Sequence, residues 1–119
     1  RRVLLKAGKP IELTQVEFQI MELFFHNPGV ALVREKILKG VWGENYFGDV
    51  KIVDVNIRRL RMKIEDEPSH PTHIMTVWGY GYRGKNEERH HPAVALRQSA
   101  DDGAAGAFGG GDVPVQLHP

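Results

Sequence analysis

Apolar residues recur every three to four positions along three stretches of the chain, which is the spacing of amphipathic helices. The first stretch begins at 14–17, where a Thr-x-x-Glu pattern predicts a capping box, and ends at 27–29, which contains both Pro and Gly. Its apolar face is broad, so we expect it to pack against two partners. The positions on this face are Phe18, Ile20, Met21, Phe24 and Phe25.

Two further stretches predict a second helix over about 34–41 and a third over about 50–65, separated by a loop at 43–49. When the third helix is projected at about 100° per residue, four apolar positions fall on one stripe, which we expect to face the core. These positions are Val53, Ile57, Leu60 and Ile64.

Short runs of alternating residues predict strands on both sides of this helical region. Residues 3–5 and 11–13 flank a turn at 6–10 that contains Gly and Pro. Residues 72–83 alternate around a turn at 79–81, which predicts a β-hairpin. The whole pattern predicts an α+β winged helix-turn-helix, with a three-helix core, an N-terminal strand pair and a C-terminal β-hairpin wing.

The composition changes near Gly84, which divides the chain into a domain at 1–83 and a Gly/Ala-rich tail at 84–119. The tail has too few apolar residues to offset its chain entropy, so we expect it to be mostly disordered, with at most a transient helical turn at 93–98. The chain starts with Arg1, so we expect a fragment of a longer protein whose domain is truncated at its N-terminus.

The net charge of +1 hides an uneven distribution. Residues 1–83 contain 13 basic and 10 acidic residues, whereas 84–119 contain 3 and 5. Within 51–63 there are five basic residues and one acid, Asp54, which we expect to pair with Arg58 one turn later. The face opposite the apolar stripe is therefore basic. It contains Lys51, Val55, Arg58, Arg59 and Met62.

A basic helix face of this kind fits the major groove of DNA. Cations near phosphates release counterions, and the arginine fork can read guanine. Val55 and Met62 can touch thymine methyl groups, and Asn56 can contact a phosphate or an adenine edge. A hairpin beside such a helix would lie along the DNA backbone or in the minor groove. The alternative is that these charged side chains form an ordinary solvent-exposed helix face without a binding role.

Other chemistry is not favoured by the residues present. Without cysteine, disulfides and thiolate sites are excluded. His70 and His73, and the pair at 90–91, lack carboxylates at ligand spacing, so we expect no metal site. No nucleophile, base and orienting group occur together, so we expect neither an enzyme nor a cofactor. We interpret 65–67 as a solvated acidic helix end and both tryptophans as packing residues.

Five stretches together resemble the effector domain of OmpR/PhoB-type response regulators. They occur in that family's order and spacing across about 3–83, and their combination is specific although each alone is weak. They are LTQVEF at 13–18, NPG at 27–29, RE at 34–35 followed by VWG at 41–43, VDVNIRRLR at 53–61 and TVWGYGY at 76–82.

The resemblance implies sequence-specific binding of double-stranded DNA as the output domain of a two-component transcriptional response regulator. The third helix, about 50–65, would enter the major groove, and the wing, 73–83, would lie on the adjacent backbone or minor groove. The phosphorylatable receiver domain would precede Arg1 and is absent from this chain. The DNA-contacting positions of the family match Lys51, Val55, Asn56, Arg58, Arg59, Arg61, Thr76, Gly79 and Tyr82, with Trp42 as a backbone contact.

The resemblance also implies partners and a location. Related domains bind direct-repeat half-sites head-to-tail, so we expect a dimer on DNA. We expect the protein in the bacterial cytoplasm, on the nucleoid when bound, with no membrane partner. The loop at 43–49 matches the segment that family activators present to RNA polymerase. Its candidate contacts are Glu44, Asn45, Tyr46, Phe47 and Asp49.

The chain departs from the family pattern at several points. Trp78 stands where many members have a wing arginine, and Asn56 replaces a frequent histidine. Val33 replaces the usual serine before the second helix, which removes a side-chain N-cap that contributes about 1 kcal/mol. The family's further N-terminal strands are missing, so we expect an exposed sheet edge at 3–5.

Two other interpretations stay open. A winged helix can dock onto proteins, here through the 43–49 loop, with Tyr46 and Phe47 as exposed aromatic anchors. Binding of a protein would depend little on salt, whereas binding of DNA would depend on it steeply. The other interpretation is a domain from a regulator that has no receiver.

Overall fold

The computed structural model describes residues 3–86 and 94–97, which form two three-stranded antiparallel sheets and three helices. This arrangement confirms the predicted α+β class. None of the helices in these residues is long and apolar enough to cross a membrane. The elements are β1 (Val3–Lys6), β2 (Lys9–Ile11), α1 (Gln15–His26), β3 (Ala31–Val33), α2 (Arg34–Trp42), α3 (Lys51–Ile64), β4 (Ile74–Val77), β5 (Gly81–Gly84) and β6 (Val94–Arg97).

Helix α1 begins with the predicted capping box. The Thr14 hydroxyl accepts from the Glu17 N–H at 3.1 Å, and the Glu17 carboxylate accepts from the Thr14 N–H at 2.9 Å. The helix ends at His26 and is capped by Asn27, whose N–H donates to the Phe24 carbonyl. All five residues of the predicted apolar face are buried, and α1 contacts both α2 and α3.

Helix α3 places its predicted apolar stripe in the core. Val53, Ile57, Leu60 and Ile64 are each 0% exposed. Asp49 caps the helix from the preceding loop, because its carboxylate accepts from the Lys51 N–H at 2.9 Å. Helix α2 starts after Val33 without any side-chain cap, as its sequence predicts.

The N-terminal hairpin has a tighter turn than predicted. Lys6 pairs with Lys9, so β2 begins two residues before the predicted start of the second strand. The two turn residues, Ala7 and Gly8, have φ values of 53° and 80°. Positive φ at both central positions is the geometry of a two-residue type I′ turn, which favours Gly and follows the twist of the strands. Pro10 fits because β2 is an edge strand.

The predicted hairpin is present as β4 and β5, and a third strand, β3, pairs with β5 on its other side. This strand was not predicted, because three residues between two helices leave no alternation to detect. The pairing is close at Gly81, where an added Cβ would lie 2.0 Å from the Leu32 carbonyl oxygen. Together β3, β4 and β5 form the wing sheet.

Strand β6 contradicts the expected character of the tail. Val94–Arg97 pairs antiparallel with β1, with Leu96 opposite Leu4, and Val94 and Leu96 belong to the hydrophobic core. The tail is therefore not disordered at 94–97, and a helical turn there is wrong. The expected exposed edge of β1 is wrong as well, because β6 covers it.

The unpaired N–H and C=O groups of β1 explain why an apolar tail segment adds there. The other tail residues, 87–93 and 98–119, lie outside the described part of the chain, and the division of the chain at 83 stays a prediction.

Candidate nucleic-acid interface

The outward face of α3 presents three exposed cations, those of Lys51, Arg58 and Arg59. Within residues 3–86 and 94–97, none of their side chains forms an ion pair. Val55 is 46% exposed and Met62 is 65% exposed on the same face. The five residues of the predicted basic face therefore all lie at the surface.

Asp54 is the single acid within 51–63. Its spacing predicted an ion pair with Arg58, but this pair is not formed. Its two oxygens accept from Arg34 of α2, at 3.2 Å from Nε and 2.7 Å from Nη2. The Tyr82 hydroxyl of β5 donates to the same carboxylate at 2.6 Å. A bidentate guanidinium is a stronger partner than an arginine one turn away on a helix. Arg58 is left available, and α2, α3 and the wing sheet meet at one carboxylate.

Arg61 was expected to contact DNA, but it holds the wing sheet to α3. Its Nε and Nη2 donate to the Ile74 carbonyl at 3.0 Å and 2.8 Å, and Nη2 also donates to the Thr76 hydroxyl at 2.9 Å. Its guanidinium carbon lies 5.5 Å from the centre of the Tyr82 ring. Burial lowers the pKa of Arg61, although the nearby Tyr82 and Glu65 oppose this shift.

Tyr82 and Thr76 are part of the same attachment, although both were expected to contact DNA. Burial raises the pKa of Tyr82 to about 12, and the hydrogen bond to Asp54 and that carboxylate's charge act in the same direction. The hydroxyl therefore stays protonated and remains a donor to Asp54. We name the set Arg34, Asp54, Arg61, Thr76 and Tyr82 the wing clamp.

Asn56, a predicted DNA contact, is almost entirely buried. It is 8% exposed, and its amide donates to the Ile52 carbonyl at 2.9 Å. The position lies next to the apolar stripe, because Asn56 and Ile57 are neighbours and Leu60 follows one turn later. The assignment of Asn56 as a DNA contact stays a prediction, and its burial leaves little of the side chain for such a contact.

Lys63, the fifth cation within 51–63, is held by the first helix. Its ammonium lies 2.6 Å from a carboxylate oxygen of Glu17, which is 2% exposed, and 3.2 Å from the Glu12 carbonyl oxygen. Burial alone would raise the pKa of Glu17, but the Lys63 bond and charge and the bonds from Thr14 lower it overall. Lys63 is therefore a structural cation.

Glu65 is buried rather than solvated, which corrects the prediction for the end of α3. Its side chain is 5% exposed, and its carboxylate accepts from the N–H groups of Thr72, His73 and Ile74, each at 2.9 Å. This cage fixes the chain where it enters β4. The start of the wing sheet is thereby attached to the end of α3.

The tip of the wing sheet projects into solvent beside a cleft. Gly79, a predicted DNA contact, lies at this tip with a φ of 73°. Trp78 is 90% exposed and Tyr80 is 51% exposed. The cleft separates the tip from α2 and α3, and is lined by Arg34, Asp54, Thr76, Val77, Tyr80 and Tyr82.

The predicted polymerase loop, 43–49, is only partly as expected. Phe47 is 86% exposed, with the Lys39 ammonium 5.4 Å from its ring centre. Tyr46 is half-buried rather than exposed, because its ring packs 6.2 Å from the ring of Trp42. Trp42 is half-buried against the core, so only part of its surface remains for a DNA backbone contact.

Glu44 and Asn45 in this loop are exposed, whereas Asp49 is used to cap α3. Among the residues that the structure describes, no group of three or more His, Asp or Glu side chains could hold a metal ion. His90 and His91 lie outside those residues.

The sequence analysis did not identify the role of Arg34 and Asp54, which lie at the centre of the wing clamp. A signal was present, because Asp54 is the single acid in a strongly basic helix segment. A single carboxylate among basic residues is expected to form an ion pair. A bidentate arginine is a stronger partner than any cation of the same helix.

Comparison with known proteins places this geometry in context. A family model described as "Transcriptional regulatory protein, C terminal" matches residues 8–84. The uncharacterized transcriptional regulatory protein YcbL of Bacillus subtilis is 49% identical over 79 residues, covering 66% of this chain and 35% of YcbL. The chain thus spans about a third of the length of this curated relative.

Solved structures of known proteins are also similar to this chain. The response regulator DrrB, an OmpR/PhoB homolog of Thermotoga maritima, shares 38% identity with a TM-score of 0.61, covering 66% of this chain and 35% of DrrB. The RstA DNA-binding domain of Klebsiella pneumoniae, solved in complex with the RstA box, shares 31% identity with a TM-score of 0.60. That match covers 67% of this chain and 79% of the RstA domain.

Proposed function

Since this chain belongs to the family of C-terminal domains of transcriptional regulatory proteins, we propose that it binds double-stranded DNA sequence-specifically as the output domain of a two-component response regulator. The family is one of transcription regulators and not a class of enzymes. DNA binding is supported by the similarity to the RstA domain, which was solved in complex with the RstA box.

The observation that carries this proposal is the outward face of α3. Lys51, Arg58 and Arg59 are exposed, and within the described residues their charges are not neutralised by any ion pair. Unpaired cations on one helix face attract phosphates, and an arginine fork matches the acceptors of guanine. Val55 lies between these cations and offers an apolar contact for thymine.

Helix α3 would enter the major groove, with the wing sheet on the adjacent backbone or minor groove. The wing clamp supports this arrangement, because Arg61 and Tyr82 hold the wing sheet at a set position beside α3. The interface would consist of Lys51, Val55, Arg58, Arg59, Met62 and Gly79, with Trp42 at its margin. Arg61, Thr76 and Tyr82 would act by positioning the wing.

The assembly around the DNA is proposed from the resemblance to the OmpR/PhoB family. Two copies would occupy direct-repeat half-sites head-to-tail, in the cytoplasm and on the nucleoid. RNA polymerase would contact the 43–49 loop through Glu44, Asn45 and Phe47, all of which are exposed. The receiver domain would belong to the longer protein.

The test starts with selection of bound sequences from a random duplex library, followed by a salt titration on the selected duplex. The expected result is a repeated half-site and a steep fall of affinity with salt. Arg59→Ala should then cost roughly 1–3 kcal/mol of binding free energy and relax the base preference. Lys9→Ala removes an equal charge from an exposed position on β2 and is the matched control.

Equal effects of Arg59→Ala and Lys9→Ala would contradict the assignment of α3, because only total charge would then matter. Salt-sensitive binding without a selected motif would contradict sequence-specific recognition. A folded chain that binds no duplex would overturn the proposal as a whole.

The second candidate function is a protein-interaction module that docks through the 43–49 loop. This function is favoured by Phe47, whose side chain is 86% exposed. Exposed aromatic side chains of this kind are typical anchors of protein interfaces. A partner bound with little dependence on salt, and lost in Phe47→Ala, would support this function. The same variant should leave selection of duplex sequences intact if both functions coexist.

A further inference from the structure

We propose that Arg34 is a positioning residue for DNA binding, which holds Asp54 and thereby keeps the guanidinium of Arg58 free to reach the duplex. This inference rests on the proposed function, since it requires a bound duplex. Arg34 lies at the start of α2. Its role depends on a competition between two arginines for one carboxylate.

Asp54 and Arg58 have the spacing of an ion pair within α3. They are four residues apart with the acid on the N-terminal side, which is the favoured order for such a pair on a helix surface. A guanidinium that bends back to Asp54 cannot at the same time present its donors outward. If Asp54 had no other partner, this pair would therefore take one cation from the basic face.

Arg34 prevents this pair by occupying both carboxylate oxygens of Asp54. Its Nε lies 3.2 Å from Oδ1 and its Nη2 lies 2.7 Å from Oδ2, and the Tyr82 hydroxyl donates to Oδ1 at 2.6 Å. Only 37% of each side chain in the ion pair is exposed, so water screens it less than a pair at the surface. Arg58 is exposed and forms no ion pair within residues 3–86 and 94–97.

The wing sheet determines where Arg34 starts. Val33, the last residue of β3, pairs with Gly81 of β5, and Arg34 follows directly. The same strand pairing therefore brings the Arg34 guanidinium and the Tyr82 hydroxyl to one carboxylate. Since the sheet fixes the backbone of Arg34, less ordering entropy is lost when its side chain binds Asp54.

An unpaired Arg58 favours binding of a duplex in two ways. An arginine with unoccupied donors can neutralise a phosphate and release its counterions, or it can pair with the acceptors of guanine. The ion pair with Arg34 also neutralises the charge of Asp54, which would otherwise repel the phosphates. Arg34 thus acts on binding through Asp54 and Arg58, and its own contact with the duplex is not needed.

The experiment measures how much Arg58→Ala weakens binding of the selected duplex in three backgrounds. These are the wild type, Arg34→Ala and the double variant Arg34→Ala/Asp54→Asn. In the wild type, Arg58→Ala should weaken binding about tenfold. In Arg34→Ala this factor should be smaller by roughly two- to fivefold, which is the strength of a helix ion pair at a half-exposed site. In the double variant the factor should return to about tenfold.

The double variant separates this role from a purely structural one. It lacks the Arg34 ion pair just as Arg34→Ala does, so damage to the wing clamp would persist in it. Asparagine keeps an oxygen for the Tyr82 hydroxyl and removes the charge that competes for Arg58. Recovery of the Arg58 effect therefore requires a competing charge at Asp54. Urea denaturation defines the conditions in which every variant is folded.

Lys36→Ala is the matched control, because it removes an equal charge from an exposed position two residues further along α2. In this background Arg58→Ala should still weaken binding about tenfold. A reduction equal to that in Arg34→Ala would overturn the inference, because only total charge would then matter.

Two further results would overturn the inference while leaving the proposed function intact. One is an Arg58 effect that is the same in the wild type and in Arg34→Ala. The other is an effect that is reduced in Arg34→Ala and is not restored in the double variant. A wild-type chain that binds no duplex would refute the proposed function and this inference together.

Discussion

Arg59 and Arg61 lie two positions apart on α3, and their guanidinium groups have different surroundings. Arg59 is exposed and has no ion pair within the described residues. Arg61 donates to the Ile74 carbonyl and the Thr76 hydroxyl and lies beside the Tyr82 ring. One arginine is available to a ligand, and the other fixes the wing sheet.

The difference follows from helix geometry. Two positions correspond to a rotation of about 200°, so the two side chains leave the helix on nearly opposite sides. A similar contrast exists between Lys51, which forms no ion pair within the described residues, and Lys63, which is bonded to Glu17. Of the five cations within 51–63, two serve the fold. The number of cations in the α3 segment therefore overstates how many remain available to a ligand.

Arg61→Ala should have the largest effect on stability. We expect the free energy of unfolding to fall by about 2–3 kcal/mol, because the carbonyl of buried Ile74 loses a charged partner. Arg59→Ala should change it by less than about 0.5 kcal/mol. Urea denaturation of both variants measures the difference. Equal losses would remove the distinction between the two arginines.

Lys63→Ala should have the next largest effect, lowering the free energy of unfolding by about 1–2 kcal/mol. This loss is smaller than for a fully buried ion pair, because 35% of the Lys63 side chain is exposed. The folded-state pKa of Glu17 is lowered, so its contribution is present above its ordinary pKa of 4.5 and is lost as pH falls through the folded value. The variant should raise this folded-state pKa, so it should lose less stability than the wild type when the pH falls below 4.5. Lys51→Ala is the control, and an unchanged acid limb would contradict the pairing.

Tyr82→Phe should cost about 1 kcal/mol, because it removes the hydrogen bond to Asp54 while keeping the ring. The folded-state pKa of Tyr82 is raised from 10.0 to about 12. Its contribution is therefore complete below pH 10 and is lost as pH rises to about 12. Subtracting the tyrosinate absorbance of the variant from that of the wild type isolates this titration. A midpoint near 10 would show that the bond is not formed.

Lys51→Ala should have the smallest effect, and only on DNA binding. Loss of one phosphate contact should reduce the slope of log affinity against log salt by about 1 without changing stability. Lys63→Ala should leave the slope unchanged, because its ammonium is already bonded to Glu17. A slope that falls equally in both variants would mean that both lysines reach the phosphates.

Much of the fold could be predicted because its signals are local. The capping box at Thr14 and Glu17 and the stripe of four apolar residues on α3 depend on spacing within one helix. The basic face could be predicted for the same reason. Three of its five residues are cations that remain unpaired in the described residues.

The strands were less predictable. The three residues of β3 have no pattern of their own, and they are defined by pairing with β5. Strand β6 pairs with β1 from the other end of the described chain. The composition of the tail predicted disorder around β6. Composition carries no information about an unpaired sheet edge elsewhere in the molecule, and β1 provides such an edge.

The sequence by itself determined which residues form helices, which face of each is apolar and where positive charge concentrates. Periodicity and capping are properties of neighbours in the chain, and they suffice for these conclusions. The tertiary structure decided which charges remain available. Asp54, Arg61, Lys63 and Glu65 find their partners 7 to 51 positions away. Such partners are selected by packing, because a buried polar group must be satisfied by whatever the fold brings within hydrogen-bonding distance.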